Sequence, residues 1–250
     1  MLYLVTAKYY IMDKKKLQHP PIREAIIDIK IAEPLSGEDF EQKYPAIQSQ
    51  YPDKKAINVF QASINSHDQI TNSGSFFQGY QYFSEDKKQI LQFQKDGFTF
   101  NRLSPYPSWN DFVEQAKKGW EVYSNDISSL ITRLAIRTIN EIHVPYPLEK
   151  INDFFNLQLV LPSALNFSQE QFNVQSILRK ENFKALINFS VLNHSNPSTT
   201  KVLLDIDLFC DTFNFSATSP EIFQTLSVMR ELKNSVFFSC LTERLGEILS

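Results

Sequence analysis

The sequence predicts an α+β protein made of two fused β-α-β(3–4)-α repeats. Each repeat is expected to form an antiparallel sheet covered by one long amphipathic helix, with a pseudo-two-fold relating the pair. Three observations predict this. Runs of alternating apolar and polar residues recur along the chain and mark half-buried strands. Two long stripes at helical spacing, one from Ser108 to Ile127 and one from Ser219 to Leu245, each close one half of the chain. Short motifs of the first half return in the second half in the same order.

The elements follow in chain order. In the strand Glu24 to Glu33, Ala25, Ile27, Ile29 and Ile31 alternate with Glu24, Ile26, Asp28 and Lys30. Ser36-Gly37-Glu38-Asp39 opens a short helix through Gln48, closed before Pro52. Residues 56–65, 74–84, 87–95 and 97–103 are successive antiparallel strands, with Asp96-Gly97 the best hairpin turn. Ser108 then caps a helix, with Asp111 as its capping-box partner. The stripe of that helix is Trp109, Phe112, Val113, Ala116, Trp120, Tyr123 and Ile127.

The second half gives a strand at 133–144, a short helix at 148–156 and strands near 170–180, 183–193 and 200–215, the last bent or broken. Its long helix begins at Ser219-Pro220, where proline suits the first helical position. Ile222, Leu226, Met229, Val236, Cys240 and Leu245 line the buried face.

Four echoes carry the duplication. Arg23-Glu24-Ala25-Ile26 returns as Arg133-Leu134-Ala135-Ile136, with Ile29 matching Ile139. Asp39-Phe40 returns as Asp153-Phe154, and Thr99-Phe100-Asn101 as Thr212-Phe213-Asn214. The chain thus divides into a frayed extension at 1–18, a first repeat at 19–130 and a second at 131–250. Met12 offers an alternative start within the extension. Two such units can join edge to edge into a saddle, which removes two exposed edges. This architecture is similar to the two-repeat fold of the TATA-box-binding protein and, more loosely, to helix-grip ligand binders. Architecture does not transmit function.

Composition excludes several function classes. With six glycines in 250 residues, neither GxGxxG nor GxxxxGK[ST] can be written, so the common phosphate loops are missing. A net charge of −3 offers no basic surplus for non-specific nucleic-acid binding. Cys210 and Cys240 form no disulfide framework, which points to a reducing cytoplasm. No apolar run reaches the ~20 residues that span a bilayer. The four histidines lack metal-ligand spacing, and no cofactor is expected. His143, at a strand end before Val144-Pro145, is read as a satisfied surface histidine.

The candidate site residues are mostly charged and lie on strands. Glu24 and Asp28 share one strand face, as do Arg133 and Arg137, and Asp205 and Asp207, because side chains repeat every two residues. If the halves meet, these charges converge. Two arginines can clamp a phosphate or carboxylate, and the acids can take a divalent cation. The plain alternative is an ion-pair lattice on the wet face of a sheet. In the run Asn101 to Trp109, Arg102 and Tyr106 can stack a base or hold an anion, or the prolines merely fix the start of the helix. Residues 74–83 place aromatics on both strand faces, so one face meets a second layer, a ligand or a partner.

Several segments together resemble a sporadically distributed family of uncharacterised bacterial and archaeal proteins. They are Pro20-Pro21-Ile22-Arg23-Glu24-Ala25, Gly97-Phe98, Arg102 to Tyr106, Trp109, Phe112, Trp120, Tyr123, Arg133 to Asn140, Leu204 to Asp207, Leu232-Lys233-Asn234, Phe238 and Leu241-Thr242-Glu243. Asn140, closing one of these motifs, joins the binding candidates. The resemblance runs from about residue 17 to the end. It implies a cytoplasmic protein from a family scattered like mobile cassettes, and brings no activity or cofactor with it. The expected function is non-catalytic: a binding or interaction component of an accessory bacterial system such as defence or toxin–antitoxin, with a protein partner or self-association. One rival is a small-ligand binder using the space between sheet and long helix. Another is a metal-dependent enzyme built on Asp205 and Asp207.

Overall fold

In the computed structural model, the described residues are 17–64, 70–145, 148–157, 171–192, 199–213 and 215–250. Nearly all of the expected 1–18 extension, and Asn214 of the threonine echo, lie outside them. Alternation builds the first strand, β1 (Ile22–Ile31), with Ala25, Ile27, Ile29 and Ile31 buried and the residues between them half-buried. A Ser36 capping box starts α1 (Gly37–Lys43). Strands β2 (Asp53–Ile64), β3 (Ile70–Phe83), β4 (Gln89–Gln94) and β5 (Gly97–Leu103) follow. Ser108 caps α2 (Trp109–Ser124), accepting from the Asp111 backbone N–H at 3.1 Å. Strand β6 (Ile131–Pro145) leads to a 3-10 turn over Leu148–Asp153 where a short helix was expected. Strands β7 (Phe172–Lys180), β8 (Phe183–Leu192) and β9 (Thr199–Cys210) precede α3 (Glu221–Cys240) and α4 (Glu243–Ile248).

The architecture corrects the two-repeat expectation. All nine strands form one antiparallel sheet in the order β2-β3-β4-β5-β1-β6-β9-β8-β7. At its centre β1 pairs with β5 on one side and β6 on the other, with Ile27 opposite both Phe100 and Ile136. Both central strands present apolar side chains to the same face, and pairing them leaves neither as a sticky edge. Two separately covered sheets do not form.

The echo of Arg23 to Ile29 in Arg133 to Ile139 also fails at the level of faces. Ala25 and Ile29 point to the helix side, whereas Ala135 stands opposite Asp28 on the other side, and Ile139 lies there too. An odd shift in strand phase moves every side chain to the opposite face. The matching letters of this echo therefore do different jobs.

Helices α2 and α3 lie on one face of this sheet, α2 against β5 and α3 against β6 and β9. The main core runs across the expected boundary at 130/131. It joins Ile27, Phe98 and Trp120 to Leu134, Leu208 and Met229. The Trp120 indole N–H donates to the Ala217 carbonyl at 3.1 Å, tying α2 to the approach to α3. A second cluster gathers Phe155, Phe189, Phe237 and Leu245. The opposite sheet face carries no described helix.

Candidate functional site

Six of the predicted candidates meet on the open sheet face. Glu24 and Asp28 on β1, Arg133 and Arg137 on β6, and Asp205 and Asp207 on β9 fall on three adjacent strands in matching phase. Glu24, Asp28, Arg133, Arg137 and Asp207 line a shallow depression of about 420 Å³. Their charges are turned on one another. Arg133 bridges Asp28 at 2.6 Å and Asp207 at 2.8 Å, and Arg137 grips Asp205 with a two-pronged contact at 2.8 and 2.7 Å. Both guanidinium groups reach diagonally across the ladder, the reach long side chains have on a pleated face.

The ion pairs continue into neutral side chains. Thr99 donates to Asp28 at 2.8 Å, Asn101 to Glu24 at 2.6 Å, and Gln92 to Asn101 at 3.0 Å. On the other flank Asn188 donates to Asp205 at 3.2 Å and Gln175 to Asn188 at 2.7 Å. The result is three hydrogen-bonded groups side by side between β7 and β4, with Arg137 of one coupled by charge to Asp207 and Glu24 of the other two. Hydrogen bonds donated to Asp205 push the Arg137 guanidinium above its ordinary value. Burial pushes the Asp207 carboxyl up, against the pull of Arg133 and Arg137, and one of its oxygens is buried without a hydrogen bond.

With both arginines committed, an incoming phosphate would have to break existing pairs to be held. Asp205 and Asp207 are likewise occupied, and among the described residues no group of three acidic, histidine or cysteine side chains is placed to hold a metal ion. His143 contacts Glu141 at 3.2 Å on the same open face, within a surface network that includes Lys201 and Arg23.

The helix side holds a different site. A cavity of about 430 Å³ opens between β1, β6, the start of α2 and the middle of α3. Tyr106 and Asn140 line it; Arg102 does not, and acts electrostatically on Tyr51 and Asp86 instead. Trp109, Phe112, Ile136 and Phe237 supply apolar walls. On β6 the helix-facing series Leu134, Ile136, Thr138, Asn140, Ile142 turns polar for two positions just at this cavity. Asn140 donates to the Leu204 carbonyl at 2.9 Å, which fixes its amide.

From α3 comes Lys233, 6% exposed, whose only described hydrogen bond is a long 3.4 Å contact to the Thr138 hydroxyl. Burial, with a smaller push from Arg230, lowers its ammonium to about 8. Among the described residues no carboxylate lines the cavity. At the rim Arg230 lies over the Trp109 ring at 5.4 Å and pairs with Glu231 at 2.8 Å.

Sequence reasoning did not single out Lys233 as a site residue. The signal was present: the lysine stands four residues after Met229 and four before Phe237, inside the apolar stripe of α3, where a charge is out of place. Pro20, Pro21, Ile22, Tyr106, Trp109 and Asn140, all from segments quoted for the family resemblance, line the same cavity. No protein-family model matches the chain, and no curated protein matches it either.

Proposed function

We propose that the protein is a non-catalytic binding protein that takes a small ligand into the cavity between β1, β6 and α3. The observation that carries this reading is Lys233, a buried cation aimed into a largely apolar chamber whose described lining supplies it no acid. Small-molecule sites typically occupy about 300–1,000 Å³ and combine apolar walls with a few convergent polar groups, as here. The test is a thermal-shift screen of small amphipathic compounds, with Trp109 emission as a second readout. A true ligand at about 100 times its Kd stabilises the fold by about 2.7 kcal/mol, which moves the melting midpoint by several degrees. A screen in which no compound moves either signal counts against the reading.

A second reading, an interaction role by self-association, has its own observation. From Ile70 to Phe77, β3 pairs with β2 alone, so the two strands project past β4 as a ribbon. The described part carries Phe60 at 69% and Phe76 at 58% exposure, beside exposed Val59. Two-stranded ribbons have little stability of their own in water, and exposed aromatic residues on one suit a protein contact. Concentration-dependent sedimentation that disappears in Phe60→Ser/Phe76→Ser is expected; a monomer at all concentrations removes this reading.

A further inference from the structure

The cavity's charge identifies the ligand more closely than its shape does. Every described residue lining it is neutral except Arg230 and Lys233, and both are cations. Arg230 stands at the rim, its charge answered by Glu231 and its face covered by Trp109. Lys233 stands inside. The groups facing it are the Thr138 hydroxyl and Asn140 amide from β6, Arg230 from its own helix, and the Tyr106 phenol from the loop before α2, with no carboxylate among them. A buried ammonium with one long hydrogen bond is a costly arrangement, since an isolated charge in an apolar site is stabilised only by a partner. It leaves one uncompensated positive charge in the chamber.

We infer that the ligand is an amphipathic monocarboxylate, its acid group pairing with the Lys233 ammonium and its apolar body lying against Trp109, Phe112 and Phe237. This rests on the cavity being the binding site. A single negative charge matches the single uncompensated cation, whereas a phosphate dianion would be left half-neutralised. The Thr138 hydroxyl, within reach of Lys233, is a second donor for the same carboxylate. The walls formed by Trp109, Phe112, Ile136 and Phe237 suit a hydrocarbon or aryl body.

The experiment titrates the full chain with octanoate and with octan-1-ol, which share a chain length and differ in charge, by calorimetry. A charge-assisted hydrogen bond contributes enough to favour the acid by about 10–100-fold. Lys233→Met keeps the apolar bulk and removes the charge; in that variant the preference disappears, and the alcohol binds at least as well as before. Lys233→Gln serves as a second variant, and the wild-type comparison decides even if neither folds. Equal binding of acid and alcohol to the wild type overturns the carboxylate assignment and leaves the cavity reading standing. Binding of neither overturns both.

Discussion

Burial and the nearby Arg230 charge hold the Lys233 ammonium near 8, against an ordinary value of 10.5. The sign of the consequence follows from proton linkage. Between about pH 8 and 10.5 the unfolded chain binds a proton at this lysine that the folded chain does not, so stability rises with pH across that window. Below pH 8 both states are protonated and the full penalty, about 3 kcal/mol, weighs on the fold. Lys233→Met is therefore expected to raise the melting midpoint at pH 7 and to flatten the rise between pH 8 and 10.5; an unchanged or lowered midpoint refutes the account. Arg133 behaves in the opposite sense. Its removal leaves Asp28 and Asp207 close together without their shared cation. Breaking a buried, hydrogen-bonded charge pair costs about 2–5 kcal/mol, and partial exposure here favours the low end. Arg133→Met should lower stability in chemical denaturation, and adding Asp28→Asn and Asp207→Asn should restore much of the loss.

Element by element, what a local pattern can encode was legible. Alternation found β1, the helical stripe found α2, and Ser108 with Asp111 marked its start, because each signal depends on neighbours in sequence. The ends of elements were less legible. Helix α3 stops at Cys240, and Leu241 is extended before Thr242 caps α4, so one expected helix is two. Each of the pairs Glu24/Asp28, Arg133/Arg137 and Asp205/Asp207 was read as sharing a strand face, and Arg102 lies apart from them; whether such charges pair with each other or with a ligand depends on strand registers that no short window contains. Close packing between layers is similarly hidden. Gly119 of α2 faces the sheet, and a Cβ there would stand 2.6 Å from a Leu91 methyl and 3.0 Å from the Phe98 ring. Replacing it with alanine gains about 1 kcal/mol of helix propensity, against an overpacking cost of about 1–3 kcal/mol. Gly119→Ala is expected to lose up to ~2 kcal/mol in denaturant titrations, and Gly119→Val more, since a β-branched residue forfeits much of the propensity gain. A stabilised Gly119→Val would show that α2 does not press on the sheet as closely as its backbone indicates.

At the scale of the whole molecule, the central β1–β6 pairing decides how the protein unfolds. Both tryptophans belong to the first half of the chain, Trp109 and Trp120 on α2. The core around Trp120 nonetheless includes Leu208 of β9, far along the sequence and separated from the first half by β6 in the sheet. Two independent repeats would let the second half melt without disturbing the tryptophans of the first. A single sheet with a shared core does not allow this, because opening β9 exposes the same apolar cluster on which α2 rests. Leu208→Ala removes a buried side chain and should cost about 2–5 kcal/mol. In a chain of this size each kilocalorie moves the midpoint by about 2–4 °C. Tryptophan fluorescence and far-ultraviolet circular dichroism should therefore shift together by about 5–15 °C and remain superimposed. A fluorescence transition that stays in place while part of the dichroism melts early would separate the halves and contradict the continuous core.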